Sequence, residues 1–136
     1  MPMADTVARI KIKGSLFIEA LENGVGSYPK YEGRWPVTAG LKFKFDPSKE
    51  PGSRILMDSI TNVDGTPFDL EKEYVCAIKA YMKLGKDGYT CLLDDSIVTL
   101  PPIRGEDDPD IQDIFIQFFR RFMLSNDKIG GLTTEA

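Results

Sequence analysis

A tryptophan and an arginine stand together in a stretch rich in glycine and proline, Gly33-Arg34-Trp35-Pro36, and Trp35 is the only tryptophan of the chain. A flat ring offered by such a loop can stack on the ring of a ligand, and offset stacking is worth about 0.5–1.5 kcal/mol beyond area burial. The same ring could instead close one end of the hydrophobic core, and composition alone does not choose between the two interpretations. Arg34 and Trp35 are therefore candidate binding residues.

Two further groups of candidates lie in the second half of the sequence. Gly85-Lys86-Asp87-Gly88-Tyr89 contains two glycines, which permit positive φ and a close approach of backbone to a ligand. It is not a phosphate-binding P-loop, because the spacing G-x-x-x-x-G-K-[ST] is absent, and an ordinary turn is the alternative. Asp94 and Asp95 follow shortly afterwards, where their carboxylates could accept hydrogen bonds from sugar hydroxyls, chelate a cation or simply face solvent. Gly88, Tyr89 and these two acids complete the candidate set.

The chain contains no histidine, and this limits its chemistry. Histidine is the only side chain whose unperturbed pKa lies near neutral pH, and it is the commonest metal ligand. Its absence excludes Ser-His and Cys-His nucleophile pairs, the usual zinc sites and most dimetal sites of mixed histidine and carboxylate ligands. We therefore expect no cofactor in this chain, and a self-contained hydrolase based on carboxylates is the least favoured function.

Composition also bounds the partners. The formal net charge is −4, so no basic field attracts a nucleic acid polymer. No apolar run approaches the roughly 18 residues that span a bilayer, and the first residues lack the pattern of a signal peptide, so we expect no membrane partner. Cys76 and Cys91 are too few for a disulfide framework in a chain of 136 residues and are expected to be small buried hydrophobic residues.

Hydrophobic periodicity predicts the elements that must position these residues. Alternation over 7–13 predicts a half-buried strand, and a helix from Leu16 to Val25 follows, with Ser15 as a plausible N-cap. Residues 26–40 lack periodicity and predict a long surface loop, which is often functional. Further strands are predicted at 41–45 and 54–60, which would pair as a hairpin, at 74–82, which would be a buried central strand or else a helix, and at 97–100.

The C-terminal part is predicted to be an acidic linker followed by a helix. Apolar residues recur at helical spacing from Ile111 to Met123, typical of a face that packs on a core. We predict an α+β domain over 1–100, with a mixed sheet of about four to five strands packed with helices. The linker and amphipathic helix over 101–126 would pack on the same domain, and 127–136 would be a disordered tail.

The order of these motifs resembles the C-terminal domain of the 5′-nucleotidase family of secreted and periplasmic metallophosphoesterases. The resemblance extends from about Ala4 to Leu93, and each motif is weak alone whereas the ordered set is specific. The segments that carry it are 12–16, 19–25, 33–43, 46–49, 51–54 and 85–89.

The resemblance implies a division of labour between two domains. In the family, an N-terminal domain holds two divalent metal ions and hydrolyses the phosphate ester, while the C-terminal domain binds the nucleoside and rotates to present the phosphate. The implied partners of this chain are a nucleoside or nucleotide ligand and an N-terminal metallophosphoesterase domain, and the chain alone would be inactive. By carry-over, Trp35 and Tyr89 would stack on the two faces of the base, and Asp94 or Asp95 would contact ribose hydroxyls.

Two departures from the family pattern leave an alternative open. Lys86 replaces a glycine of the usual Gly-Gly-Asp-Gly-aromatic motif, which could alter the loop and add a cation near the phosphate. The substrate-binding segment Asn-Gly-Gly-x-x-Arg, which precedes the first strand in the family, is absent. The alternative function is a non-catalytic interaction module that keeps the fold, with the aromatic helix after Pro109 as the surface that meets a partner.

Overall fold

The computed structural model describes residues 5–102 and 109–126, which form five strands and three α-helices. The elements in chain order are β1 (Val7–Lys13), α1 (Gly14–Val25), β2 (Leu41–Lys42), β3 (Thr61–Asn62), β4 (Glu73–Lys79), α2 (Ala80–Lys83), β5 (Val98–Leu100) and α3 (Ile111–Asn126). Short 3₁₀ turns cover Met57–Ser59, Lys86–Gly88 and Thr90–Leu93. The predicted α+β class is confirmed, but the strands in these ranges form two antiparallel sheets instead of one mixed sheet.

The larger sheet has the strand order β4-β1-β5, with β1 at its centre. Alternation along β1 buries Ala8, Ile10 and Ile12 on one face, as its period of two predicts. The prediction that residues 74–82 form a buried central strand was wrong. Its first part is the edge strand β4, whose residues alternate between half-buried and exposed, and the chain then turns into α2.

Helix α1 begins directly at the end of β1, without a side-chain cap. The predicted N-cap Ser15 lies inside the helix, and Lys13 occupies the cap position. Other backbone satisfies the first amides instead, because Gly14 N donates to Lys72 O and Ser15 N donates to Leu70 O, each at 2.9 Å. Because β1 passes directly into α1, the 69–72 backbone must lie close enough to accept these hydrogen bonds. The absence of a side chain at Gly14 leaves room for it.

The smaller sheet replaces part of the predicted hairpin. β2 pairs with β3, and Phe45 forms a single bridge with Ile55. The predicted strand over 54–60 is interrupted by the 3₁₀ turn at Met57–Ser59. Helix α1 lies between two hydrophobic clusters, and Phe17 packs against both. The first cluster centres on Ile10, Ile12, Tyr89, Leu92 and Ile97, and the second on Leu21, Val25, Leu41, Ile55 and Ile60.

The predicted C-terminal helix is confirmed as α3, and its start is tied to the beginning of β1. Ile111 N donates to Asp5 O, and the Asp110 carboxylate accepts from Asp5 N and Gln112 N. Its apolar side chains do not form the predicted core-packing face, since they are 40–66% exposed. These side chains are Ile114, Phe115, Ile116, Phe118, Phe119, Phe122 and Met123.

Parts of the C-terminal prediction lie outside the described residues, namely most of the acidic linker, 103–108, and the predicted tail, 127–136. Among the helices that the structure does describe, none is long and apolar enough to cross a membrane.

Candidate functional site

The two predicted binding loops meet beside the C-terminal half of α1. Tyr89 Oη donates to the backbone carbonyl of Arg34 at 2.6 Å, which joins the second loop to the first. Asn23 bridges the same junction, because its Nδ2 donates to Asp87 O at 3.1 Å while its Oδ1 accepts from Arg34 Nη1 at 3.4 Å. The sequence therefore selected two loops that the fold does bring together, and it gave no indication of Asn23.

Gly88 is the point of closest approach at this junction. Its φ is +80°, and a Cβ there would lie 2.7 Å from Asn23 Oδ1 and 3.1 Å from Arg34 Nη1. Gly85 and Asp87 also have positive φ, at 71° and 52°. The glycines of this motif are needed for the turn itself, which leaves their predicted contact with a ligand as a prediction.

Replacement of Gly88 by alanine is expected to destabilise the protein by about 1–2 kcal/mol through the left-handed backbone alone. The additional contact with Asn23 should increase that loss. Gly65→Ala is the matched control, because Gly65 has φ +82° and an added Cβ there meets no atom of the described residues within 4 Å. Urea unfolding of both variants measures the difference. Equal losses of stability in the two variants would show that the junction with Asn23 is not tight.

Trp35 belongs to an aromatic cluster of four rings, Tyr28, Tyr31, Trp35 and Phe45. Its ring centroid lies 5.0 Å from that of Tyr31, 5.7 Å from Phe45 and 5.9 Å from Tyr28. Trp35 is half-buried and packs on the second hydrophobic cluster, while Tyr31 is 72% exposed. Both interpretations of Trp35 therefore stay open, because the residue packs on the core and is still partly exposed to solvent.

Tyr89 occupies a different position from the one that the two-sided stack requires. Its side chain is only 4% exposed and lies in the first hydrophobic cluster. Burial, followed by the Asp87 charge, raises the pKa of its hydroxyl, so the group remains a neutral donor to Arg34 O. In this arrangement Tyr89 offers no free ring face. Stacking of a base between Trp35 and Tyr89 stays a prediction that requires the tyrosine ring to leave the core.

The two acids after this loop, Asp94 and Asp95, are exposed. The Asp94 carboxylate accepts hydrogen bonds from Ser96 Oγ at 2.5 Å and Ser96 N at 2.9 Å. These bonds hold the pKa of Asp94 below its usual value, and they close the turn that leads into β5. Two open grooves flank α1, and neither acid lines either of them. Their predicted contact with ribose hydroxyls stays a prediction.

These two open grooves lie along the polar face of α1. The larger, of about 820 Å³, lies between α1, Arg34 and the segment 51–57. The smaller, of about 290 Å³, lies between α1, Gly88 and Cys91, whose thiol pKa burial raises to about 11. Glu19 and Asn23 line both grooves. The walls offer carboxylate, amide and hydroxyl groups and, in the larger groove, the Arg34 guanidinium.

Arg34 is the cationic candidate residue, and it is partly neutralised already. Its Nε lies 3.0 Å from Glu32 Oε2, an ion pair by distance that lacks the alignment of a hydrogen bond. Within the described ranges, no three His, Cys, Asp or Glu side chains are placed to hold a metal ion.

Buried Arg54 and half-buried Glu22 form a polar network that was not predicted from the sequence. Arg54 is 8% exposed, and its Nη1 donates to the carbonyls of Val25, Gly26 and Tyr28 at 2.8–3.1 Å. The Glu22 carboxylate accepts from the backbone amides of Arg54 and Ile55 at 2.9 and 2.7 Å. The signal available in the sequence was an arginine directly before an isoleucine, at the start of the strand predicted over 54–60. Its carbonyl partners could not be located without the fold.

Comparison with known proteins finds that this chain is similar to 5′-nucleotidases. The family model described as "5′-nucleotidase, C-terminal domain" matches residues 1–94. The snake venom 5′-nucleotidase of Crotalus adamanteus is 30% identical over 101 residues, which cover 71% of this chain and 17% of that protein. The trifunctional nucleotide phosphoesterase YfkN of Bacillus subtilis is 29% identical over 98 residues, which cover 71% of this chain and 7% of the relative.

Solved structures show the same relationship at the level of fold. The 5′-nucleotidase precursor from Thermus thermophilus aligns with a TM-score of 0.68 and 30% identity, over 74% of this chain and 20% of that one. The NAD nucleotidase of Haemophilus influenzae aligns with a TM-score of 0.70 and 23% identity, over 90% of this chain and 22% of that one. Since 1–94 is only about two thirds of the chain, the second similarity of fold extends into the C-terminal part. The chain spans about a fifth of these structures.

Proposed function

Because the chain belongs to the 5′-nucleotidase C-terminal domain family, we propose that it is the nucleoside- or nucleotide-recognition domain of a 5′-nucleotidase-like phosphoesterase. The observation that carries this proposal is the hydrogen bond from Tyr89 Oη to Arg34 O. It joins the two loops with the family's motifs beside a groove that Arg34 lines.

The base would stack on the solvent-facing part of Trp35. An aromatic ring whose orientation is fixed by neighbouring rings loses little freedom when a base stacks on it. Asn23 and Glu19 lie at the loop junction and could hydrogen-bond the sugar or the polar edge of the base. Tyr89 becomes the second stacking ring only if it leaves the core, and its hydroxyl otherwise holds the loop of Trp35 in place.

The proposal places the phosphate outside this groove. Glu19 and Glu22 line its wall, and carboxylates repel a phosphate. Arg34, the cation at the groove, is already beside Glu32. Hydrolysis by two divalent metal ions in an N-terminal metallophosphoesterase domain would complete the function, and the chain alone would then be inactive. A metal-dependent phosphatase assay on the purified chain tests this part, and measurable turnover would contradict it.

Ligand binding can be followed directly through Trp35, because no other tryptophan contributes to the fluorescence. We expect adenosine and AMP to change the Trp35 emission with weak, roughly millimolar affinity, which corresponds to about 4 kcal/mol of binding free energy. By calorimetry, Trp35→Ala should weaken binding about two- to tenfold, the equivalent of one stacking contact. Val37→Ala is the control, because Val37 is 94% exposed in the same loop. Absence of any response at millimolar ligand would contradict the proposal.

The alternative, an interaction module without nucleotide binding, keeps the support of one observation. The aromatic face of α3 is exposed, whereas burial of its phenylalanines would have removed the main argument for this function. The two functions differ in the nucleotide titration. Wild-type protein that is folded but silent to adenosine and AMP favours the interaction module, and a response that Trp35→Ala weakens favours nucleotide recognition.

A further inference from the structure

One buried side chain, Arg54, is hydrogen-bonded to the backbone that leads into the aromatic cluster around Trp35. Three of the hydrogen bonds of its guanidinium end on carbonyls at the C-terminal end of α1 and the start of the following loop, and a fourth, from Nε, ends on Lys49 O at 3.0 Å. A buried cation is stable there because the C-terminal end of a helix carries partial negative charge and because Nη1 and Nε both donate to backbone carbonyls. Arg54 thus ties the segment 25–28 to the segment 49–54.

Of the three rings that contact Trp35, Tyr28 is tied to the Arg54 guanidinium, and Phe45 is tied to the backbone around Arg54. Arg54 Nη1 donates to Tyr28 O at 3.1 Å, which fixes the backbone that carries the Tyr28 ring. Phe45 is fixed from the other side, because Asp46 N donates to Arg54 O at 2.8 Å and Phe45 bridges to Ile55. The Tyr28 and Phe45 rings meet edge to face at 5.3 Å, and both contact Trp35.

Glu22 completes the network from within α1. Its two carboxylate oxygens accept from two consecutive amides, Arg54 N and Ile55 N. This one side chain therefore fixes the position of the 54–55 backbone relative to α1. Hydrogen bonds to an ionised acceptor are about twice as strong as neutral ones. An amide at this position would offer one oxygen and one donor group, and could satisfy only one of the two amides.

We propose that Arg54, held by Glu22, is the positioning residue that sets the orientation of the Trp35 ring, and thereby the affinity for a ligand ring stacked on it. The effect on ligand affinity rests on the proposed function, whereas the effect on the orientation of Trp35 does not. Removal of the guanidinium releases the Tyr28 carbonyl, so Tyr28 and Trp35 gain mobility. Without the guanidinium, acrylamide reaches Trp35 more readily, and the near-ultraviolet circular dichroism of the cluster weakens.

The experiment compares the full chain with Arg54→Gln, Arg54→Lys and Glu22→Gln at a temperature where each is folded by far-ultraviolet circular dichroism. We expect acrylamide quenching of Trp35 to rise at least twofold in Arg54→Gln, less in the lysine variant, and least in Glu22→Gln, which remains available if the arginine variants do not fold. Addition of methylguanidinium to Arg54→Gln should lower the quenching again. Ile97→Ala is the control, because it destabilises the first hydrophobic cluster, whereas Trp35 packs on the second.

The outcomes separate the two proposals. Quenching that rises only in the Arg54 and Glu22 variants, together with AMP affinity that falls about two- to tenfold, supports the positioning role and its effect on binding. Unchanged quenching in folded Arg54→Gln and Glu22→Gln overturns the positioning role, as does an equal rise in Ile97→Ala. If acrylamide quenching rises in the Arg54 and Glu22 variants but neither they nor the wild type bind AMP, the positioning of Trp35 is supported and the proposed nucleotide function is contradicted.

Discussion

Replacement of Tyr89 by alanine is expected to lower the free energy of unfolding by about 3–5 kcal/mol, the range for truncation of a large aromatic side chain in a core. The ring is almost fully buried between the central strand β1 and the Thr90–Leu93 turn, in contact with the cluster that includes Ile10 and Leu92. Its loss also deprives Arg34 O of its hydrogen bond from the tyrosine hydroxyl. Urea unfolding followed by far-ultraviolet circular dichroism measures the effect.

Two further variants separate the parts of this effect. Tyr89→Phe removes only the hydrogen bond to Arg34 O, so a loss of about 0.5–1.5 kcal/mol is expected. Tyr31→Ala removes a largely exposed ring that contacts Trp35, and should lower stability by about 0.5–1.5 kcal/mol, well below the loss in Tyr89→Ala. If Tyr89→Ala were nearly as stable as the wild type yet lost AMP binding, the ring would spend its time outside the core, and the two-sided stack implied by the family resemblance would regain support.

The second large effect is expected at Gly14, the residue where β1 becomes α1. A Cβ there would lie 2.2 Å from Asp69 O and 2.9 Å from Leu70 Cα, distances that require backbone to move. Alanine is the better helix former by about 0.8–1 kcal/mol, but overpacking typically costs about 1–3 kcal/mol and more where rigid atoms are met. We therefore expect Gly14→Ala to lower the free energy of unfolding by at least about 2 kcal/mol.

The control for Gly14→Ala is Gly33→Ala. A Cβ at Gly33 would meet only Asp87 Oδ2, at 3.4 Å, which is an ordinary contact with a side chain that can move. Its stability should change by less than about 0.5 kcal/mol. A Gly14→Ala protein as stable as the wild type would mean that the 69–72 backbone does not hold the start of α1, and that another group satisfies the amides of Gly14 and Ser15.

Both predictions concern residues whose importance was visible in the sequence for other reasons. Tyr89 was selected as a binding residue from its place in a glycine-containing motif, and the fold makes it a core residue that joins two loops. Gly14 lay between the predicted strand and the predicted helix, and the fold makes it the site where two backbone segments touch. In each case the residue type was informative, but its partner lay far away in the chain, as Tyr89 and Arg34 do with 55 positions between them.

Local patterning determined the parts of this protein that depend on near neighbours. The alternation over 7–13 predicted β1, and helical spacing predicted α1 and α3, because the period of apolar residues distinguishes a strand from a helix. The ordered motifs between Ala4 and Leu93 indicated the family, which the match over residues 1–94 confirmed. The absence of histidine also came from the sequence alone, and it excluded Ser-His and Cys-His nucleophile pairs without requiring a structure.

Only the tertiary structure decided which of these elements cover one another and which polar groups they enclose. Periodicity states that α3 has an apolar face, yet the described residues leave that face exposed. It cannot place the Arg54 guanidinium beneath the carbonyls of Val25 and Tyr28, since that contact exists only once α1 and the 49–54 segment are packed together. Hydrogen bonds and burial between distant segments are properties of the packed chain. The roles of Tyr89, Asn23, Glu22 and Arg54 therefore emerged with the fold.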